Sequence, residues 1–418
     1  MGALVLAFTL FGCGTTSNLP IELMPAPAIY QEGRLDPFPD VTTADLPEQP
    51  SIFYVTDRAP SARDDKQRFY KSERGHVLRA GKAEIELDPK LTDWDDVRRI
   101  TFAASRDRKY KLKVTNATEF GVLPESVSVF DDAHKTPRAN LEARNSFARE
   151  INHRLDNTES NDVYIFVHGY KVDFQNPLLI ASELYHFLGY QGAFIAYSWP
   201  ATPHRLAYFK DLETAGASAR NLRILLETLG KNTRARRIHI VAYSAGTRVA
   251  VDAVAQLALL GKKAPIGNVI LVGSDVDRQR FAGAILDGLL DVPDRLSVYL
   301  SSNDGALGVA SFLFAQDRLG QVWEDDGSNP DAEKLVATID KLALINVSAA
   351  DGAASGNGHG YFRSSPWASS DILSTLLFDL SPRERGLERE PGKAIWEFPP
   401  DYIEKLSRRL ASRTASAR

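Results

Sequence analysis

The sequence predicts an α/β fold with a mostly parallel central sheet and helices on both faces. Between residues 163 and 348, short runs of apolar residues alternate with Ala/Leu-rich segments of helical period. Strands of a parallel sheet that is covered on both faces are apolar on both sides, so each appears as a continuous run. Six strands are predicted, at residues 163–170, 194–200, 237–244, 268–275, 295–304 and 341–348. We therefore expect an α/β core over residues 151–380.

The segment before this core, residues 51–150, is predicted to be rich in β-structure. It contains β-branched and aromatic runs such as SIFYVTDRAP and KAEIELDP, and Tyr110, Leu112 and Val114 alternate with lysines. Such alternation is typical of strands with one buried face. A helix is expected over 138–160. Two placements remain open: the β segment extends the main sheet, or it packs beside it.

The two ends of the chain have compositions unlike the core. Residues 13–50 are rich in Pro, Asp and Glu without a sustained period, which predicts an extended linker. Residues 381–418 end in the basic, Ser/Ala-rich SRRLASRTASAR, which predicts a solvated C-terminal tail.

The first residues suggest a targeting signal. An apolar run from Ala3 to Phe11 has the length of a secretory signal core and is too short to span a bilayer as a helix. The following LFGC resembles the lipobox of bacterial lipoproteins, although no Lys or Arg precedes the run. The resemblance implies removal of residues 1–12, a lipid on Cys13, and anchoring to a membrane of the bacterial envelope, at the periplasmic face or the cell surface. The alternative is an apolar N-terminus without a role.

Composition excludes several classes of function. The 418 residues carry a net charge of −4, which gives no support for a nucleic-acid partner. The single cysteine, Cys13, rules out an intramolecular disulfide and a cysteine metal cluster. No H-x-x-x-H or H-x-H motif is present, so we expect no metal and no cofactor.

The sequence AYSAG at residues 242–246 is a candidate nucleophile turn. In open parallel sheets, ligands bind at the carboxyl ends of the strands, and Ser244 directly follows a predicted strand. The strand-turn-helix elbow that exposes a nucleophilic serine needs small residues on either side, which Ala242 and Gly246 supply. The alternative is a structural turn in which Ser244 caps the following helix.

A serine nucleophile needs a base, and the base needs a carboxylate to orient it. Of eight histidines only His359 follows Ser244, in the Gly/Ser-rich ASGNGHGY. The chain order Ser, Asp, His therefore requires His359, unless it is a surface histidine without a role. Asp304, after the fifth strand, is the favoured acid; Asp275, after the fourth, is the alternative, and either could be a helix cap.

Two backbone amides are expected to stabilise an oxyanion. One belongs to the residue after the nucleophile, Ala245, and the other to the loop after the first core strand, where Tyr170 is the best candidate. His168, in the same loop, is predicted to be structural.

Taken together, FVHGY, YSWP, AYSAG, SDVD, SSNDGAL and HGYF resemble the DUF900-type α/β-hydrolases, an esterase/lipase-like bacterial family. The resemblance spans about residues 51–378 and includes Tyr208, Asp211 and Arg318–Gly320. It implies an α/β-hydrolase fold with Ser244 as nucleophile, His359 as base and Asp304 or Asp275 as acid. Four positions depart from the family pattern, which usually has glycine at Ala242, histidine at Tyr243, methionine at Ala245 and asparagine at Lys171.

The expected activity is cofactor-free hydrolysis of small or lipid-like carboxylic esters by a lipid-anchored enzyme. One alternative is a catalytically inactive envelope scaffold that retains the fold. Another is thioester cleavage or acyl transfer by the same residues. The segment 305–340 either covers the site or is a solvated excursion that carries a helix.

Overall fold

The computed structural model describes residues 20–39, 51–62, 69–91, 93–308, 318–322 and 330–417. Within these residues the strands are β1 (Ile21–Glu22), β2 (Ile52–Pro60), β3 (Tyr70–Asp88), β4 (Lys111–Val122), β5 (Asp162–Val167), β6 (Ala193–Ser198), β7 (Arg237–Tyr243), β8 (Ile266–Val272), β9 (Arg295–Leu300), β10 (Leu342–Asn346) and β11 (Ile395–Glu397). They form one sheet in the order β1-β4-β3-β2-β6-β5-β7-β8-β9-β10-β11.

In this spatial order, the eight neighbouring strands β2, β6, β5, β7, β8, β9, β10 and β11 are all parallel. The six predicted core strands correspond to β5 through β10, and β5, β6 and β8 are buried along their whole length. Successive residues of a strand face opposite sides of the sheet, so Tyr164 and Phe166 enter one core, while Val163 and Ile165 enter the other. The predicted fold class is confirmed.

The helices of the described residues cover both faces. They are α1 (Trp94–Phe102), α2 (Pro137–Asp156), α3 (Gln175–Phe187), α4 (Tyr208–Asn232), α5 (Gly246–Leu259), α6 (Arg278–Leu286), α7 (Pro330–Ala337), α8 (Tyr361–Ser364), α9 (Pro366–Phe378) and α10 (Tyr402–Ala417). α3, α9 and α10 pack into the first core, whereas α2, α4 and α5 pack into the second. The helix expected over 138–160 is α2.

The β-rich segment extends the main sheet. β2 pairs in parallel with β6, and β3 and β4 continue the sheet as antiparallel strands. The first of the two placements is therefore the observed one.

Part of the predicted linker is packed. Residues 20–39 contain little regular structure, yet Met24, Ala26, Ile29 and Tyr30 are each at most 2% exposed. The backbone amide of Ala28 donates to the Pro366 carbonyl at 3.0 Å. The apolar residues between the prolines pack onto the first core from irregular chain that includes turns, and such packing needs no periodic pattern.

The predicted C-terminal tail also differs from the structure. β11 adds a strand to the sheet edge, and α10 buries Tyr402, Leu406 and Leu410. These apolar positions recur at helical spacing, so one face of α10 belongs to the core although the sequence around it is polar and basic.

Three predictions fall wholly or partly outside the described residues. They are the signal at 1–12, the lipidated Cys13, and most of the segment that joins Gly305 to α7. In the described part of the chain, no helix is long and apolar enough to cross a membrane.

Candidate active site

Ser244 lies in a strained turn between β7 and α5. Its φ is +54°, a left-handed conformation that costs a residue with a side chain on the order of 1–3 kcal/mol. The N-cap of α5 is Ala245, with no side-chain bond to the helix, so Ser244 is not the capping residue that the alternative proposed. The backbone amide of Ser244 donates to the Val272 carbonyl at 2.9 Å, which ties the turn to β8.

Small residues let the elements around this turn approach closely. A side chain at Gly246 would clash with the His168 carbonyl oxygen and would lie 2.6 Å from that of Val167. A Cβ on Gly169 would lie 2.8 Å from the Cβ of Ser244. The start of α5 and the loop after β5 are therefore in contact at the serine.

His359 connects Ser244 to Asp304. Its Nδ1 lies 2.6 Å from Asp304 Oδ2, and its Nε2 lies 2.9 Å from Ser244 Oγ. Since a carboxylate only accepts hydrogen bonds, Nδ1 carries the proton and Nε2 is left to accept from the serine hydroxyl. The three residues are 5–7% exposed, so the pairings are largely shielded from solvent.

Glycines allow the loops that carry Asp304 and His359 to approach each other closely. Gly358 has φ +69°, and a side chain there would clash with the Asn303 carbonyl. Gly273, with φ +53°, lies beneath the pair: its Cβ would be 3.0 Å from His359 Cε1 and 3.5 Å from Asp304 Oδ2. A larger residue at Gly273 would displace the imidazole.

Aromatic residues hold the imidazole from other sides. The Tyr243 ring lies 4.9 Å from that of His359 and 4.8 Å from that of Phe362. The Tyr361 hydroxyl accepts from the Gly273 amide at 2.7 Å and donates to the Tyr299 carbonyl at 2.9 Å. Sequence reasoning missed Tyr361, although its place two residues after the histidine was an available signal.

Asp275 lies in a different cluster. Its carboxylate accepts from the Tyr208 hydroxyl at 2.8 and 2.9 Å and from Arg248 Nε at 2.9 Å, and Arg318 Nε is 3.6 Å away. Its bonds go to these groups and not to His359. The geometry therefore places Asp304, and not the alternate Asp275, against the histidine.

The loop after β5 carries Tyr170, whose ring packs against that of Tyr208 at 5.1 Å. Lys171 follows it with φ +64°. Asparagine tolerates this conformation better than lysine, which gives a local reason for the asparagine of the resembled family. The Asp211 carboxylate accepts from the amides of Lys171, at 3.5 Å, and Thr202, at 3.0 Å. Burial raises the pKa of Asp211.

Arg58, at the end of β2, was not singled out from the sequence. Its side chain is completely buried and donates to Ser198 Oγ and to the backbone carbonyls of Lys71, Ala201, Val172 and Asp173. Burial lowers its pKa to about 10, so it remains charged at neutral pH. The pair Asp57-Arg58, two charged residues inside an otherwise apolar and β-branched strand, was the available signal.

His168 is a buried residue of the loop. Its ring stacks on Trp199, with 5.1 Å between centroids and 3° between planes. Burial and the nearby Arg58 charge keep its pKa well below the usual histidine value, so the ring is neutral at pH 7. These contacts are those of a structural residue.

The rest of the described structure contains a large cavity but no metal-binding cluster. Within the described ranges, no group of three or more His, Cys, Asp or Glu side chains could hold a metal ion. A cavity of about 940 Å³ lies elsewhere, between α1, β3 and α3, where Trp94, Ile100 and His186 line it.

A protein-family model described as "Alpha/beta hydrolase of unknown function (DUF900)" matches residues 143–375, more than half of the chain. Ser244, Asp304 and His359 all lie within the matched span. A search of the curated proteins and a search of the solved structures found no match.

Proposed function

The chain belongs to the DUF900 family of α/β-hydrolases, and on that premise we propose that it is a serine hydrolase of carboxylic esters. The observation that carries the proposal is the continuous hydrogen-bonded series Asp304–His359–Ser244 at the carboxyl edge of the sheet. A hydroxyl so placed can lose its proton to the imidazole while it attacks.

In the first half of the reaction, Ser244 Oγ bonds to the ester carbonyl carbon and its proton passes to His359 Nε2. The carbonyl oxygen becomes an oxyanion. When the tetrahedral intermediate collapses, the bond to the alcohol oxygen breaks and His359 returns the proton to that oxygen. The alcohol leaves, and the acyl group remains on Ser244.

In the second half, water enters and gives a proton to His359 as its oxygen bonds to the acyl carbon. Collapse of this intermediate breaks the bond to Ser244 Oγ, which regains its proton from the imidazole. The carboxylic acid is released. Asp304 keeps the proton on Nδ1 and stabilises the imidazolium in both halves.

The oxyanion is proposed to bind the amides of Ala245 and Tyr170. Ala245 is the N-cap of α5, and the backbone amides at the start of a helix lack partners within it and attract negative charge. Tyr170 follows Gly169, which packs against Ser244. Loss of one oxyanion donor typically lowers the rate about 10²- to 10³-fold.

The strained turn favours catalysis over an inactive scaffold. A binding protein gains nothing from a serine at φ +54°, since glycine would relieve the strain. Strain that persists at such a position is typical of functional sites.

Labelling with a fluorophosphonate probe tests the proposal. We expect full-length protein to label in stoichiometric amount, and Ser244→Ala and His359→Ala to lose labelling. Ser274→Ala is the matched control, because Ser274 is also buried nearby but bonds to Thr247. Absence of labelling in folded wild type, or its persistence in Ser244→Ala, contradicts the proposal. Turnover of p-nitrophenyl esters against acyl thioesters then separates ester hydrolysis from the thioester alternative.

We also propose that Cys13 carries a lipid that anchors the protein to an envelope membrane. The support is the LFGC stretch after the apolar run. Expressed in a bacterial host with radiolabelled palmitate, the protein should incorporate label and Cys13→Ala should not. Equal partitioning of both proteins into the aqueous phase of a detergent separation contradicts the anchor.

A further inference from the structure

Arg58 is a fully buried cation whose hydrogen bonds go almost entirely to main-chain carbonyls. Its Nε donates to Ser198 Oγ at 3.1 Å, and its Nη atoms donate to carbonyls at 3.1–3.3 Å. The five donors of a guanidinium form a rigid fork. One side chain can therefore fix several chain segments relative to each other.

The segments joined by Arg58 meet beside the candidate site. Its Nη2 bonds to Val172 and Asp173, in the loop after β5, and its Nη1 bonds to Ala201, in the loop after β6. From α4, the Asp211 carboxylate binds the amide of Lys171. In the loop after β5, the buried Arg58 cation thus binds backbone carbonyls, and the buried Asp211 carboxylate binds a backbone amide.

This loop needs such support. Lys171 is in a left-handed conformation that lysine disfavours, and two residues before it Gly169 packs on Ser244. Without the bonds from Arg58 and Asp211, relaxation at Lys171 would move the Tyr170 amide relative to the serine.

We propose that Arg58 is a positioning residue, which holds the loop after β5 so that the Tyr170 amide faces the developing oxyanion. This inference rests on the proposed ester hydrolysis. It also gives the N-terminal β segment a part in the reaction, because Arg58 precedes the matched span at residues 143–375.

Positioning of an oxyanion donor affects the transition state more than the bound ester. Geometric displacement of about 1 Å can lower a rate on the order of 100-fold. We therefore expect Arg58→Lys to lower kcat for p-nitrophenyl butyrate roughly 10- to 100-fold, with KM changed less than about threefold. The rate of fluorophosphonate labelling should fall in parallel, since the probe's phosphoryl oxygen occupies the oxyanion position.

Arg385→Lys is the matched control. Arg385 is also completely buried, but it donates to the Asp371 carboxylate and the Leu380 carbonyl, and not to the loop after β5. We expect this variant to lower the thermal midpoint and to retain wild-type kcat and KM. Active-site titration with the probe corrects all rates for the folded fraction.

Chemical rescue extends the test. Millimolar guanidinium chloride should restore kcat to Arg58→Ala, whose missing group it replaces, and should leave Arg385→Ala unchanged. If Arg58→Ala does not fold, Arg58→Lys alone decides. Wild-type kcat in folded Arg58→Lys, or losses equal to those of Arg385→Lys, overturns the positioning role only. A wild type that neither labels nor turns over removes both this inference and the proposed function.

Discussion

Two carboxylates follow adjacent strands at the carboxyl edge of the sheet, and their surroundings differ. Asp304, after β9, accepts from His359 Nδ1 through one oxygen and from the Leu307 amide, at 3.0 Å, through the other. Asp275, after β8, accepts from Tyr208 and Arg248 and lies close to Arg318. Both are at most 5% exposed.

The two carboxylates differ in whether the groups that donate hydrogen bonds to them can release a proton. An imidazole gains and loses protons near neutral pH, whereas an arginine stays protonated in proteins. Burial and the Asp275 charge raise the pKa of Tyr208, so its hydroxyl also keeps its proton. The Asp304 cluster is therefore suited to proton transfer, and the Asp275 cluster to holding α4, α5 and the loop after β8 together.

The largest expected effect is that of Asp304→Asn. An amide can present its NH₂ group to Nδ1, which favours the wrong tautomer and leaves Nε2 protonated. We expect kcat for p-nitrophenyl esters to fall roughly 10³- to 10⁴-fold, with little change in the urea midpoint. A loss below tenfold would remove Asp304 from the proposed reaction and end the contrast with Asp275.

Asp275→Asn should have the opposite profile. Removal of one partner from a buried ion pair leaves Arg248 uncompensated, so the free energy of unfolding should fall by about 3 kcal/mol. Per folded molecule, kcat should stay within tenfold of wild type. The measurements are urea denaturation and titrated turnover. Turnover as low as that of Asp304→Asn, in folded protein, contradicts the structural assignment.

The smallest effect concerns alkaline stability and Tyr208. The unfolded tyrosine ionises near pH 10, while the folded one has a raised pKa and retains its proton. The folded state thus binds more protons above that pH, and stability falls as pH rises.

Tyr208→Phe removes this contribution, so unfolding free energy should decline less steeply between about pH 10 and 11.5, by at most about 1.4 kcal/mol per pH unit. In an Asp275→Asn background the same substitution should matter less, because the Asp275 charge is one cause of the shift. Equal slopes for wild type and Tyr208→Phe contradict the proton-retaining role.

The pattern of apolar residues in the sequence predicted the strands that are buried on both faces. The apolar runs of β5 to β10 are continuous because both sides of each strand are covered, and Ser244 could be placed because it directly follows β7. The chain order Ser, Asp, His also predicted His359 as the base, because it is the one histidine that follows Ser244 in the sequence. Order alone did not separate Asp304 from Asp275, since both follow a strand and the loops that bring Asn303 and Gly358 together are set by tertiary contacts.

The burial of residues that follow no helical or strand period was not predicted. Residues 20–39 pack as mostly irregular chain, so their apolar side chains show neither helical nor strand spacing. Arg58 was missed for a related reason: the sequence shows a charged residue, and only the fold supplies the carbonyls that satisfy it. Burial of polar groups depends on partners far away in the chain, and a local pattern does not contain them.

The packing of residues 20–39 also limits how far the enzyme could stand from a membrane. If residues 13–50 were a free linker, a lipid on Cys13 would leave the folded domain at a large and variable distance from the membrane. Because β1 begins at Ile21, only eight peptide steps separate Cys13 from the folded body, which is at most roughly 28 Å of extended chain. An anchored molecule would therefore stay close to the lipid head groups, and it could reach only those substrates that lie within that distance of the membrane.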